Sequence, residues 1–350
     1  MLMEEYEMCT TFTMKDEQVM LLAQNYDFHA GHGLIVVSTR DLTKYSFAAE
    51  GKKEVSWKTK YGNITFTQFG RELPMSGMNE KGLTIAMMYH EEGQYPLSDS
   101  RAALNELQWI QYQLDQYASV EEVVHHLDHI RIEKAVYVLH YMVADAKGHT
   151  AIIEFIGGNA QVTQDATYYT LTNSNYNQSL EYMKQFKETT IPKLSRKVSS
   201  LDRFNLAYRL LEEKCNLNKL TSLSIKEAFG ILDDLAVKPS VNWDWVGNEI
   251  PPTLSYWTVV FDIKNLSIHY KNYGNEAVRS IKIKHFNFFK DSPILSLPLD
   301  NKYKGSIEHE FKPYKKSDNE RIIRLSFKPI TDFFPIGDQE KLATYPDTFN

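Results

Sequence analysis

The chain has 350 residues, 43% of them hydrophobic and 24% charged, with a formal net charge of −6. That length can enclose one large core or two ordinary ones, and the acidic balance argues against a general nucleic-acid binder, which carries a basic excess. The opening "MLMEEYEM" is acidic where a secretory signal is basic and then apolar. No run approaches the roughly 18 apolar residues of a membrane span. The expectation is therefore a cytoplasmic protein with neither nucleic acid nor membrane as partner. The two cysteines, Cys9 and Cys215, are too few for a disulfide framework and lack metal-ligand spacing.

The first ninety residues read mainly as strands. "VMLLAQNYDF" and "LIVVST" are β-type runs separated by "HAGHG", whose glycines permit a sharp turn. "NITFTQF" alternates, and "LTIAMMYH" comes after the tight turn "GMNEKG", where Asn79 reads as a turn residue. In "ALNELQWIQYQLDQYA" Leu104, Leu107, Ile110, Leu114 and Tyr117 recur every three or four positions, as one helix face requires. "SVEEVVHHLDHI" opens with a capping box, Ser119 to Glu122. Strands return in "YVLHYMVAD", "AIIEFI" and "TYYTLTNS". A second helical block holds "SSLDRFNLAYRLLEE" and "SIKEAFGILDDLA". Strands appear again in "SYWTVVFDI", "LSIHY" and "RSIKIKHFNFF". Blocks of strands and helices without regular alternation predict antiparallel sheets in an α+β layered fold. After about residue 291 the chain is charged and weakly periodic, an arm or a subunit contact in this reading.

Nucleotide-binding loops and the serine-hydrolase elbow are absent. His125, His126 and His129 share a capped amphipathic helix, where a solvated polar face explains them better than a metal does. His29 and His32 border a glycine turn. Cys215 reads as a structural or incidental thiol.

Cys9 differs because of the motifs downstream of it and their order. "CTTF", "LLAQNYDF", "GMNEKGL", "LHYMVADAKGHTAIIEF", "LTNS" and "SSLDRF" resemble the motifs of the choloylglycine hydrolase and penicillin V acylase family. Its members are linear amide hydrolases that start, once mature, with the nucleophilic cysteine. The resemblance implies a four-layer αββα sandwich over residues 9–290, a leader at residues 1–8, and an extension of the same domain or an arm at 291–350. It implies Cys9 as nucleophile with its freed α-amine as base, and Asp27 as the acid that orients that amine. Asn173 and the backbone N–H of Tyr89 would form the oxyanion hole, and Arg203 would stand near the nucleophile. Penicillin acylases carry Tyr at the position of Tyr89, where bile-salt hydrolases usually carry Asn. Gln24, Phe28 and Met87 are expected around the substrate.

The chemistry asks for these types. A thiol with a pKa near 8.5 needs a neighbouring base at neutral pH, and an α-amine with a pKa of about 7.7–8.0 can serve if nothing precedes it. Choloylglycine hydrolases have arginine just before Asn-x-Asp, where this chain has Gln24. Gln-Asn-aromatic-Asp also looks like the acyltransferase branch typified by isopenicillin N acyltransferase. The expected activity is cleavage of an N-acylated small molecule through a thioester, without metal or cofactor, by a homo-oligomer (tetramers being common in the family). Acyl transfer and a non-catalytic ligand-binding relative are the alternatives. Met1, Met3 and Met8 are all possible initiators, and a start at Met8 would expose Cys9 by ordinary methionine removal.

Overall fold

The structure, a computed structural model, describes residues 9–47, 55–186, 199–217, 223–238, 253–328 and 336–349. Two large sheets dominate it. One has seven strands in the order 170–171, 10–15, 20–28, 254–262, 267–272, 275–282, 305–306. The other has nine, in the order 159–163, 150–156, 139–144, 84–89, 74–79, 63–67, 34–38, 295–298, 312–313. Within these sheets pairing is antiparallel except for the short edge contact of 305–306 with 275–282.

The helices are α1 (Glu106–Gln116), α2 (Val120–His125), α3 (Tyr176–Phe186), α4 (Ser200–Leu217), α5 (Ile225–Leu235), α6 (Lys316–Phe327) and α7 (Ile336–Thr344). α4 and α5 pack on the seven-stranded sheet, and α1 packs on the nine-stranded one. This is the four-layer αββα sandwich that the sequence resemblance implies.

Strand Met20–Phe28 shows why the sequence builds such layers. All nine residues are buried, because a sheet covered on both faces leaves neither side chain of an alternating pair in water. Leu22 and Tyr26 join the core between the sheets. Leu21 and Ala23 point the other way, into a second cluster with Phe12 and with Ala207, Phe229 and Leu232 of the helix layer. Asn25, also on the helix side, donates to the carbonyl of Leu232 at 2.8 Å. Across the sandwich α1 lies so close that a Cβ on Gly77 would fall 3.0 Å from a Leu114 methyl and 2.8 Å from one of Thr65.

Sequence expectation and structure differ at several ends. The helix expected from Ala103 starts at Glu106, because Ala103–Asn105 pair in parallel with Arg131–Glu133. Asn105 then caps α1, its side-chain oxygen accepting N–H groups of Leu107 and Gln108 at 3.0 and 2.8 Å. The Ser119 hydroxyl accepts the N–H of Glu122 as expected, while the Glu122 carboxylate accepts the N–H of Ala118 in place of that of Ser119. The helix then ends at His125 and gives way to turns. α3 has no counterpart among the expected elements. It buries only Tyr176, Ser179 and Met183, too narrow a stripe to stand out in hydropathy. Asn79 does close its turn, accepting N–H groups of Lys81 and Leu83 while Gly82 takes a φ of +87°. Its amide also donates to carbonyls of Leu114 and Tyr117, tying the turn to α1.

Candidate active site

Cys9 precedes strand Thr10–Lys15, an inner strand of the seven-stranded sheet, and is only 3% exposed. Its thiol donates to the carbonyl of Asp27 at 3.6 Å. The antiparallel register that pairs Thr10 with Asn25 brings the start of the first strand to the end of the second. Residues 18 apart in sequence thereby share one site, through a hairpin.

Arg203 enters from the first turn of α4. It is buried to 2% exposure and divides its guanidinium among three acceptors. Nη1 donates to the carbonyl of Cys9 at 2.8 Å and to the hydroxyl of Thr10 at 3.0 Å. Nη2 donates to Oδ1 of Asn173 at 2.7 Å. With its oxygen held by the cation, the Asn173 amide must present its NH₂ on the other side, where Nδ2 donates to the carbonyl of Tyr89 at 3.0 Å. The arginine thus fixes which way that amide faces.

Ser200, which opens α4, locks the same corner. Its Oγ accepts the backbone N–H groups of Asn173 and Ser174, both at 2.8 Å. The motif "SSLDRF" contains Ser200, yet its pattern points to the arginine and gives this serine no role.

Asp27 is 1% exposed. One carboxylate oxygen accepts the Ser255 hydroxyl, and the other, Oδ2, is buried with no hydrogen-bond partner among the described residues. Burial pushes its pKa up to about 7 against the opposing effects of the Ser255 hydroxyl and the Arg203 charge. Desolvation likewise lowers the Arg203 pKa, with Asp27 and Cys9 acting in the opposite direction. A buried acceptor left open beside a thiol is an unusual arrangement, since most such atoms are satisfied.

Beside Cys9 and Asp27 lies a cavity of about 840 Å³, mouth included. Tyr26, Phe28, Met75, Met87, Tyr89 and Leu139 line it from the strands, joined by Phe47, Phe69 and Leu73. Glu106 and the segment Ala135–Tyr137 form another side. The Glu106 carboxylate accepts backbone N–H groups of Ala135, Val136 and Tyr137 at 2.7–3.1 Å. That clamp shapes the wall, and no sequence pattern announces it.

Comparison with known proteins fits this geometry. Residues 9–296 match the family described as linear amide C-N hydrolases, choloylglycine hydrolase family. The chain belongs to this family. The protein is accordingly a hydrolase acting on linear amide C–N bonds. Among curated relatives, the penicillin V acylase of Pectobacterium atrosepticum is 26% identical over 272 residues, covering 68% of this chain and 70% of that one. Among solved structures, penicillin V acylase from Agrobacterium tumefaciens superposes with a TM-score of 0.74 at 22% identity, covering 88% of this chain and 98% of that one. A mutant of the conjugated bile acid hydrolase from Clostridium perfringens gives 0.69 at 19%, covering 86% and 99%.

Of the residues expected around the hydrolase site, Cys9, Asp27, Phe28, Met87 and Tyr89 line the cavity. Arg203 stands behind Cys9 and bonds its carbonyl directly, and Asn173 is linked to Cys9 through Arg203. Gln24 is placed differently from the expectation. It is fully buried, does not line the cavity, and its amide donates to the carbonyl of Met87 at 2.8 Å. Strand alternation turns it toward the facing sheet, where a backbone carbonyl takes it. The thiol of Cys215 is pushed up by burial among side chains of the helix layer. Neither cysteine forms a disulfide.

Among the described residues, His90, His140 and Glu154 form the one cluster whose ligand atoms all lie within 4.8 Å of one another. The two imidazoles stack at 4.4 Å with their planes 11° apart. A metal binds in the plane of each imidazole it uses, and two nearly parallel, stacked planes offer no common point. Hydrogen bonding describes the cluster better. His140 Nε2 donates to the carbonyl of Thr172 at 2.6 Å while Nδ1 faces Glu154 at 3.3 Å. Glu154 in turn accepts the N–H of Tyr176 at the start of α3, at 3.0 Å. The cluster steadies the peptide that carries Asn173. His140→Ala is expected to lower unfolding stability by about 1–3 kcal/mol in denaturant titration, the usual effect of orphaning buried polar partners.

His125 and His129 lie exposed at the end of α2 and in the adjoining turn. His126 stacks on Tyr117 and bonds the Glu122 carbonyl at 2.8 Å.

Among the described residues no helix is long and apolar enough to cross a membrane.

Proposed function

We propose that this protein is a penicillin V acylase-like cysteine amidohydrolase, acting on N-acylated small molecules through a thioester on Cys9 after residues 1–8 are lost. The observation that carries the reading is Arg203, whose one guanidinium binds both the Cys9 carbonyl and the Asn173 amide. It joins a candidate nucleophile to a candidate oxyanion donor. The open Oδ2 of Asp27 supports the rest, because an ammonium on Cys9 would supply the donor that this oxygen lacks.

In this mechanism the freed α-amine of Cys9 takes the thiol proton, and sulfur attacks the amide carbon. The negative charge that forms on the carbonyl oxygen meets an N–H of Asn173 Nδ2 and the backbone N–H of Tyr89. Collapse breaks the C–N bond, and the ammonium returns its proton to the leaving amine. Water then attacks the thioester, giving the free acid and restoring the thiol. The Asp27 carboxylate orients the α-amine throughout. Cytoplasmic location and a homo-oligomer, tetrameric by resemblance, belong to the same reading.

Hydrolysis is preferred over acyl transfer because the residue that suggests transfer, Gln24, is bound to Met87 rather than to the reacting groups.

The test is to incubate protein beginning at Cys9 with penicillin V and simple N-acyl anilides, then to quench and weigh it. Amine release with an acyl-mass adduct on Cys9 is expected. Asn173→Ala should lower kcat about 10²–10³-fold with a smaller effect on KM, since an oxyanion donor acts mainly in the transition state. Hydrolysis without any adduct in rapid quench, or an unchanged kcat in Asn173→Ala, would sink the mechanism.

A further inference from the structure

The family match stops at residue 296, yet the chain continues to Asn350. The described residues beyond 296 do not stand apart from the hydrolase core. α6 and α7 pack on each other, and Ile322, Ile323, Phe327, Leu342 and Ala343 belong to the main apolar core.

Directed bonds hold the pair in register. Asn319 of α6 accepts the backbone N–H of Arg71 at 2.7 Å and donates to the carbonyl of Ala343 at 3.2 Å. The Tyr345 hydroxyl accepts from Gln108 of α1 and donates to the carbonyl of Tyr45. Gln108 lies two residues from Glu106, which lines the cavity.

Two side chains of this extension reach the cavity itself, Phe327 and Leu342. Phe327 packs 4.9 Å from Phe69, and Phe69 packs edge-on to Phe28 at 5.5 Å. Phe28 is next to Asp27 in the chain. One aromatic row therefore runs from the nucleophile's neighbour to the C-terminal helices. Among the described residues no Lys, Arg or His lines the cavity, and its acidic members are Asp27 and Glu106. An anionic acyl group would find no counter-charge on those walls, whereas an apolar one replaces water along the whole row.

We propose that the C-terminal extension is a specificity element: α6 and α7 wall the acyl subsite, and Phe327 and Leu342 limit the length of the uncharged, apolar acyl group accepted. The proposal rests on the cavity being the acyl site of the amidohydrolase read above. It assigns to residues past 296 a part in substrate choice, in place of the arm or subunit contact expected from sequence.

The experiment is a ladder of N-acyl p-nitroanilides from acetyl through hexanoyl to dodecanoyl, with phenoxyacetyl added, on enzyme beginning at Cys9. In Phe327→Ala and Leu342→Ala the kcat/KM ratio of dodecanoyl to hexanoyl substrate is expected to rise about tenfold, while the acetyl rate stays within about twofold; a pocket wall discriminates by roughly such factors. Phe327→Leu, which keeps most of the volume, should track the parent. A ladder that moves in parallel, all substrates changing by one factor, overturns the proposal.

A second readout needs no turnover. In a Cys9→Ala background produced without residues 1–8, calorimetry with hexanamide and dodecanamide should show the same crossover when Phe327 is truncated. A crossover in binding without hydrolysis of any anilide by the parent would reject the amidase reading and keep the wall. Binding without a crossover, or no binding of either amide, would reject the wall.

Discussion

Cys9→Ala is expected to abolish amide hydrolysis, a loss of about 10⁴-fold or more in kcat, and to leave residues 1–8 attached in protein expressed from Met1. The first effect comes from losing the one protein group in the proposed mechanism that bonds to the acyl carbon. The second holds if the same thiol removes the leader. Intact mass separates the possibilities. Parent protein lacking residues 1–8 beside a variant that keeps them would assign the cleavage to Cys9 itself. Loss of the leader from both would hand the step to another peptidase, and self-processing would be discarded. A variant that still hydrolyses anilides at the parent rate would end the case for a thioester. Cys9→Ser is the gentler companion. Serine keeps the shape but holds its proton far more tightly than a thiol, so turnover should fall almost as far. The buried position of Cys9, with its carbonyl bound to Arg203, leads us to expect unchanged folding in both variants.

Asp27→Asn should turn a functional loss into a pH-dependent gain in stability. Burial raises the folded-state pKa of Asp27 to about 7, whereas an unfolded aspartate titrates near 3.9. An acid with a raised folded pKa binds its proton more tightly when folded. It therefore leaves stability untouched below about pH 4, erodes it as pH climbs through 4 to 7, and adds nothing further above. The full swing for such a displacement is about 2–4 kcal/mol. In protein that retains its leader, the stability of Asp27→Asn relative to the parent should rise by that amount between pH 4 and pH 8, since asparagine has no charge to bury. Denaturant unfolding at the two pH values measures it. A constant difference would mean that Asp27 is not titrating in this window. In protein beginning at Cys9 the swing should shrink, because an ammonium beside Oδ2 favours the carboxylate. Activity should be lost in either form.

The fold is largely legible in the sequence because its strongest signals are local. Continuous apolar strands such as Met20–Phe28, the helix cap at Ser119 and the turn at Asn79 all depend on neighbours in sequence. The family motifs carry the rest of the site, and Cys9, Asp27, Asn173 and Arg203 can be named together from their order alone. The hidden part depends on contacts across the chain. Ser255 meets Asp27 across 228 residues, and Glu106 clamps a segment about 30 residues on. A serine or glutamate in such a role looks like any surface residue until the chain folds. Gln24 misleads for a related reason. Its place beside Asn-x-Asp suggests the pocket, and it shares the strand face of Tyr26 and Phe28, which do line the cavity, but its side chain is taken up by the Met87 carbonyl. The C-terminal helices escape notice because the apolar residues of each form a narrow stripe and find partners only in a distant layer.

Arg203 has an implication for the resting protein. Its guanidinium is sealed from solvent and answered by a peptide oxygen, a hydroxyl and an amide oxygen, all neutral. Among the described residues, Asp27 is the acidic group that acts on it besides the Cys9 thiol. With Asp27 near the midpoint of its titration at neutral pH, this interior holds more positive than negative charge. An ammonium on a freed Cys9 would hold Asp27 as the carboxylate, so the leader-free form is the one in which a full negative charge answers the buried guanidinium.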